Sequence, residues 1–364
     1  MPVDKDHELK TLVVKKIIRE TANTKSFVLQ LKDDTDEPLT YKAGQFLTFI
    51  YHNSAGEEKR RNYSISSAPL PGNELAITVK RIDNGEFSRR LVDHTRVGDE
   101  LITLGASGFF VLPENISPFN QLFFIVAGSG ITPAYSLIKT ILVQYPLMSI
   151  VLIYSNTSIA TTIFYEELVE LGKAHSDRLK IEFLFSTDSN LLRARLNTNL
   201  LAGLIKNHQL QTKEKALFYV CGPTDYMRMI VIYLNIQQIP AAHIKREIFN
   251  VEKLVRRPQP QDKDPHTITI QINQHQYQFI TQYPSTILQT AKQHGIKLPF
   301  SCESGQCGTC AVKCISGKVW MYNNEVLTDD ELDKGIVLTC TGYAIDGEVK
   351  LEMWPPVPQR GNLD

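Results

Sequence analysis

Four of the six cysteines are spaced as iron ligands. Cys302, Cys307 and Cys310 follow a C-x4-C-x2-C pattern, and Cys340 comes after a long gap. That spacing is the ligand pattern of plant-type [2Fe-2S] centres. Two irons bridged by two sulfides need four thiolates, three of them from one tight loop. Gly305 and Gly308 lie inside this loop. Glycine reaches positive φ without a steric penalty, so backbone N–H groups can turn toward the sulfurs and help set the reduction potential. The competing reading is a structural zinc site, which pairs C-x2-C knuckles; only Cys307 and Cys310 have that spacing. Cys314 is not needed by the pattern. It falls on an expected strand and reads as a buried free thiol.

Other motifs can hold phosphate or a planar ring. Arg61-Asn62-Tyr63-Ser64 puts a planar cation, an aromatic ring and a hydroxyl within four residues; alone it reads equally as an exposed arginine with a core tyrosine. Gly85-Glu86-Phe87-Ser88 opens a short helix whose first N–H groups and hydroxyl can take a phosphate, or it is a plain capped helix. Lys80 and Arg81 precede it, as phosphate cations or solvated strand residues. The turn from Ala127 to Pro133, AGSGITP, follows an apolar strand and opens a helix. Gly128 and Gly130 permit close approach of a nucleotide, Thr132 is placed to cap the helix or donate to phosphate, and Pro133 suits its first turn. The turn is not G-x-G-x-x-G, and a purely structural role stays open. Cys221-Gly222-Pro223 closes a later apolar strand, and Glu247-Ile248-Phe249 ends the same region.

These motifs need rigid elements beneath them. Thr11–Ile18, Ser26–Leu31, Phe46–Tyr51 and Leu75–Arg81 are rich in β-branched and aromatic residues and are separated by turn signals, the pattern of a small antiparallel barrel. A helical stretch, Glu86–Leu91, interrupts them. From Gln121 strands at Leu122–Ala127, Ser149–Tyr154, Lys180–Phe185 and Ala216–Cys221 alternate with helices at Pro133–Gln144, Ile163–Leu171 and Asp225–Asn235. A polar connection is expected before Ala216. Such alternation predicts a parallel sheet covered on both faces. Val251–Pro265 is proline-rich, charged and aperiodic, a linker composition. A hairpin, Thr267–Ile272 with Gln276–Ile280, and a helix from Thr286 to His294 lead into the cysteine loop. The expected domains are 1–117, 118–250 and 265–364, with 251–264 as linker.

Bulk composition agrees with a multidomain globular protein. Of 364 residues 43% are hydrophobic, and 39 basic residues balance 39 acidic ones, so nothing calls for nucleic acid or an anionic membrane. The first ten residues are polar and no apolar run is long enough to span a bilayer, which points to the cytoplasm. Residues 265–364 hold seven Lys/Arg against ten Asp/Glu. The acidic run Glu325–Asp333 is a candidate partner surface, or simply a solvated face.

The stretch LPFSCESGQCGTCAVKCISGKV with VLTCTGY resembles the ferredoxin domain fused to oxygenase reductases. The R-x-Y-S, G-x-x-S, AGSGITP, C-G-P and E-x-F segments are similar to signatures of the ferredoxin–NADP reductase superfamily, and the resemblance covers nearly the whole chain. It implies an antiparallel β-barrel flavin domain, an α/β parallel-sheet nucleotide domain and an α+β β-grasp ferredoxin domain. It implies Arg61 at the flavin pyrophosphate, Tyr63 at the ribityl region, Ser64 near the hydride-accepting N5, Gly85, Phe87 and Ser88 at the flavin phosphate, and Gly128, Gly130, Thr132 and Pro133 at the nicotinamide coenzyme. Cys221, Gly222 and Pro223 would border the nicotinamide, with Phe249 near the flavin ring or merely packed. FAD is preferred to FMN, with Gly108-Phe109-Phe110 in its favour. NADH or NADPH is left open: Thr157 stands where relatives often carry a basic residue, Arg193 or Arg195 could reach the site, and an acidic residue to read a 2′-hydroxyl is missing there as well. The implied activity carries electrons from NAD(P)H through FAD to the cluster and on to an oxygenase or hydroxylase. A general NAD(P)H–ferredoxin-type reductase and a non-catalytic redox sensor are the alternatives.

Overall fold

The computed structural model describes residues 9–32, 39–53, 55–83, 85–209, 212–249 and 257–354. The turn signals at Asp33-Asp34 and Asn84 and the first part of the linker lie outside the described residues. The chain divides into two compact units, Leu9–Asn250 and one that includes the C-terminal region from Val251.

The first unit opens with six antiparallel strands: β1 (Lys10–Thr21), β2 (Thr24–Leu31), β3 (Phe46–His52), β4 (Glu58–Ser64), β5 (Leu75–Lys80) and β6 (Glu100–Ser107). Their order is β4-β3-β6-β1-β2-β5. A bridge between Ile65 and Ile77 joins the two edges into a barrel. Phe27, Leu47, Phe49, Ile77 and Leu91 fill it and are fully buried. Helix α1 (Glu86–Arg89) runs into a wide π-type turn, Arg90–His94, and buries Phe87, Leu91 and Val92.

The same unit continues as a five-stranded parallel sheet. Strands β7 (Gln121–Ala127), β8 (Ser149–Asn156), β9 (Leu179–Phe185), β10 (Ala216–Cys221) and β11 (Ile244–Glu247) lie in the order β11-β10-β7-β8-β9. Helices α2 (Ile131–Gln144) and α3 (Tyr165–Ala174) pack on one face. On the other, α5 (Thr198–His208) and α6 (Thr224–Ile236) pack, after the single turn α4 (Leu191–Ala194). Every residue of β10 is buried, as a central strand covered on both faces requires. The expected polar connection before Ala216 is thus corrected: it contains α5, capped by the Asn197 side chain on Leu200 N at 3.0 Å and anchored by Leu201, Leu204 and Ile205.

In the second unit β12 (His266–Ile272), β13 (His275–Thr281), β14 (Ala311–Met321), β15 (Ile336–Leu338) and β16 (Gly342–Met353), with α7 (Ile287–Gln293) and α8 (Asp329–Asp333), form a mixed sheet and its cover. The order is β13-β12-β16-β14-β15, with β12 and β16 parallel. Thr286 and Gln289 close a capping box at the start of α7, which satisfies two end donors reciprocally. Cys314 lies on β14 as expected but is half-exposed, not buried. The strand bulges beside it, between Cys314 and Ser316.

Candidate functional site

In an open parallel sheet, ligands sit at the carboxyl ends of the strands where the order reverses. Here that point lies between β7 and β10, because the chain runs from β7 through β8 and β9 on one side and then crosses to β10 and β11 on the other. Gly128 leaves β7 with φ +54°. Gly130 is forced by contact: a Cβ there would lie 2.3 Å from the Cys221 carbonyl oxygen. The turn 128–130 is a 3-10 turn, and α2 starts at Ile131. Thr132 is therefore inside the helix rather than its cap, a correction. Its hydroxyl donates to Ser129 O at 2.9 Å, so that proton is already spent. Pro133 sits in the first turn, where a missing N–H costs nothing. Gly222 packs where a Cβ would meet Tyr226 and Ala127 at 3.0 and 3.1 Å, and Pro223 precedes α6.

Two tyrosines hold these strand ends. The Tyr154 hydroxyl donates to Gly128 O at 3.0 Å, with Ile163 O at 3.4 Å as a second acceptor. The Tyr226 hydroxyl donates to Val126 O at 3.1 Å and lies 3.2 Å from Ser155 Oγ. Neither tyrosine belongs to a motif legible in the sequence.

Ser64, the last residue of β4, is buried, and its Oγ donates to Glu247 Oε1 at 3.2 Å. Glu247 ends β11 and is buried too, and its Oε2 has no hydrogen-bond partner. Burial pushes its carboxyl up to about 8, against the opposing Ser64 hydrogen bond. Burial likewise raises the Cys221 thiol, and the Glu247 charge adds to it. An orphaned, proton-holding carboxyl beside a hydroxyl and a thiol fits a pocket completed by a bound ring system. In the E-x-F segment the sequence points to Phe249, which is 41% exposed; the buried member is Glu247, two residues before it.

The other set of motif residues is positioned by the barrel. Tyr63 is packed with Phe49 and Phe87, ring centroids 6.1 and 5.9 Å apart, and Phe87 stacks on Tyr51 at 4.2 Å. Arg61 keeps its guanidinium exposed, donating to Arg60 O at 2.7 Å. Lys80 Nζ would lie 3.7 Å from a Cβ on Gly128, so this cation faces the glycine turn. Arg81 is instead tied to Asp83 and Asp93 at 2.8 and 3.0 Å. Ser88 Oγ donates to Gly85 O at 3.0 Å and accepts from Ile82 N at 3.2 Å. Its hydroxyl is used within the turn, and a Cβ on Gly85 would strike it at 2.4 Å.

The cysteine loop is built differently. The thiols fall into pairs, Cys302 with Cys307 and Cys310 with Cys340, each pair in side-chain hydrogen-bond contact. Among the described residues no three ligating side chains group around one metal ion. Pairs suit a binuclear centre, which takes two thiolates per iron. Cys302 is held below the usual thiol range by Cys307, then against burial by Ser304 and by the backbone N–H groups of Ser304 and Gln306. Gly305 and Gly308 have φ +78° and +74°, and a Cβ on Gly305 would lie 2.5 Å from Asn323 O. Asn323 Nδ2 donates to Ser304 O at 2.7 Å, and Gln306 Nε2 to Glu325 Oε1 at 3.2 Å. Thr339 Oγ1 donates to Cys310 O at 3.1 Å, tying the fourth cysteine's segment to the loop. Thr341, next to Cys340, has a buried hydroxyl with no partner; a sulfur of the cluster would complete it.

Three families match the chain in order: an oxidoreductase FAD-binding domain over residues 11–111, an oxidoreductase NAD-binding domain over 124–231 and a 2Fe-2S iron-sulfur cluster binding domain over 270–344. The chain is 30% identical to a component of 1,2-phenylacetyl-CoA epoxidase from Escherichia coli K12, over 94% of this chain and 97% of the relative. It is 29% identical to the ferredoxin reductase component of 3-ketosteroid-9-alpha-monooxygenase from Rhodococcus rhodochrous, over 94% and 96%. Among solved structures, phthalate dioxygenase reductase shares the fold with a TM-score of 0.58 at 23% identity, over 95% of this chain and 98% of that one. An intact type IV self-sufficient cytochrome P450 monooxygenase matches with a TM-score of 0.71 at 19% identity, over 96% of this chain and 42% of that one. Among the described residues no helix is long and apolar enough to cross a membrane.

Proposed function

We propose a function from one premise: the chain belongs to the family of oxygenase-system reductases that join FAD-binding, NAD-binding and 2Fe-2S domains. It is an NAD(P)H-dependent oxidoreductase. Its acceptor, in our reading, is the oxygenase or hydroxylase component of a multicomponent system, since the Escherichia and Rhodococcus relatives are parts of an epoxidase and a monooxygenase. When bound, FAD supplies a two-electron hydride acceptor and the [2Fe-2S] centre a one-electron carrier.

The chain's own residues bind, orient and exclude water. Arg61 takes the flavin pyrophosphate as a planar cation, and Tyr63 lies along the ribityl region. Gly85, Phe87 and Ser88 shape the phosphate turn from beneath, because Ser88 is occupied within it. Gly128 and Gly130 bring backbone against the coenzyme pyrophosphate, with Thr132 and Pro133 fixing the helix start and Lys80 adding charge. Ser64 hydrogen-bonds at the flavin N5 edge, and Glu247 holds a proton behind it. Cys221, Gly222 and Pro223 wall the nicotinamide side, and Phe249 covers the mouth. Cys302, Cys307, Cys310 and Cys340 ligate the irons. The cytoplasm, which keeps thiols reduced, suits a chain that needs four reduced cysteines for its irons.

The observation that carries the reading is chemical: one chain holds both a buried, orphaned carboxyl beside the glycine-turn sheet and a loop of thiols paired two by two. Protein purified without added cofactor should absorb as flavin plus iron–sulfur. NADH or NADPH should bleach both bands, and the reduced chain should then support turnover of an added oxygenase component. Steady reduction of cytochrome c would exclude a non-catalytic sensor. Colourless folded protein that takes up neither flavin nor iron would refute the assignment.

A further inference from the structure

NADPH differs from NADH by a 2′-phosphate on the adenosine ribose, a group carrying close to two negative charges at neutral pH. Proteins that accept it place a cation near the end of the strand following the glycine turn's strand. In this sheet that strand is β8, which pairs in parallel with β7. From Ser155 to Thr162 the chain reads SNTSIATT, without an ionisable side chain. The segment closes on itself with hydroxyls: Ser158 and Thr161 form a capping box.

The connection after β9 runs along the same edge. Ser186 N donates to Asn156 O at 3.0 Å, and Thr187 Oγ1 donates to Thr157 O at 2.9 Å. Its charged residues before α5 are Asp188, Arg193 and Arg195. Asp188 repels a phosphate. Arg193 is ion-paired with Glu182, whose other oxygen meets His208 Nε2 at 2.8 Å, so its charge is already met inside the domain. Arg195 is exposed beyond α4. Lys80 faces Gly128, at the pyrophosphate turn rather than at the end of β8. Among the described residues this edge therefore offers amides and hydroxyls, which suit a ribose diol, with no acid in the segment after β8 and no cation built in beside it.

We infer that this chain selects NADH over NADPH, with Asn156, Thr157 and Ser158 reading an unphosphorylated ribose. The inference rests on the dinucleotide reading of the glycine turn given above. Flavin reduction is followed by stopped flow in the full, flavin-loaded chain with each coenzyme in turn. The kcat/KM for NADH should exceed that for NADPH by about ten-fold or more, the scale of one missing charge-assisted contact. Thr157→Arg should shift that ratio toward NADPH by about ten-fold. Equal or better use of NADPH by the unaltered chain overturns the inference, and loss of that use in Arg195→Ala would name Arg195 as the phosphate reader. If neither coenzyme bleaches a bound flavin, the proposed function falls with it; efficient NADPH use alone leaves that function standing.

Discussion

Ser64 and Glu247 meet across 183 residues of sequence, whereas Cys302, Cys307 and Cys310 lie within nine consecutive positions. The first arrangement depends on a whole sheet being in register: β11 must pair with β10 so that Glu247 stands opposite Cys221, and β4 must bring Ser64 to it. The second depends on a local turn with two left-handed glycines. The polar accounting differs as well. Around the thiols, Ser304, Gln306, Asn323 and Glu325 satisfy one another. Beside Ser64 and Cys221, buried Glu247 keeps one carboxylate oxygen unpaired. Each site keeps one buried polar atom for what binds there, Thr341 Oγ1 in the one and Glu247 Oε2 in the other, but only the cysteine loop is braced by a side-chain network of its own.

The largest effect should come from removing one of the paired thiols. Cys307→Ser deletes the partner of Cys302 and leaves an iron short of a thiolate. The iron–sulfur absorption and EPR signals should disappear, while flavin content and NAD(P)H-dependent flavin bleaching persist. Loss of flavin reduction in a folded variant would show that the two sites are not the separable structures compared here.

Glu247→Gln tests the other side. The folded carboxyl titrates at about 8, above its ordinary value of 4.5. Between those values the folded chain holds a proton that the unfolded chain has released. Stability therefore falls as pH rises through that window and levels off above it. The glutamine variant lacks this slope. Unfolding free energies from urea titrations of flavin-free protein at pH 5 and pH 8 should differ more for the parent than for the variant, by on the order of a few kcal/mol at most. Parallel curves would mean that Glu247 ionises freely and that the pocket is wet.

What could be read from sequence follows the same divide. The cysteine loop, the Thr286–Gln289 capping box and the apolar β10 run carry their signals within a few residues. Helix α5 had a legible Leu201, Leu204, Ile205 stripe and an Asn197 cap, but Asn, Thr and Gly around it are poor helix formers and masked it. Strand β6 was missed although alternate residues Leu101 and Thr103 are buried; Gly105 interrupts the pattern. Thr132 lies inside the helix because the 3-10 turn ends at Gly130 and the helix begins at Ile131, one residue before it. The burial of Glu247 has no local signature at all, being set by the partner strand and by a serine from another sheet.

Paired glycine replacements should sharpen the comparison with smaller effects. Gly130→Ala sets a Cβ against the Cys221 carbonyl at 2.3 Å, and Gly305→Ala sets one against Asn323 O at 2.5 Å. Each contact must be relieved by backbone movement, costing about 1–3 kcal/mol, and Gly305 adds the strain of a positive φ. The first should raise KM for the coenzyme and spare the cluster spectrum. The second should weaken or alter the cluster spectrum and spare KM. A crossed result would contradict the independence of the two local geometries.

The smallest effect expected is that of Tyr154→Phe, and it bears on how a site finished by its ligand is kept ready for it. Tyr154 is fully buried, so the change keeps the ring packing and removes one hydroxyl. That hydroxyl satisfies Gly128 O at 3.0 Å and lies near Ile163 O, linking the glycine turn to the segment before α3. A net hydrogen bond is worth about 1 kcal/mol, with a further cost if the carbonyl is left unpaired. Because Gly128 holds a positive φ, losing its anchor lets the turn sample conformations that bind pyrophosphate poorly. KM for the coenzyme should rise about five-fold, with flavin content and the limiting rate of flavin reduction little changed. An equal fall in the limiting rate would place Tyr154 in the hydride step itself, and an unchanged KM would show that the turn needs no support from β8.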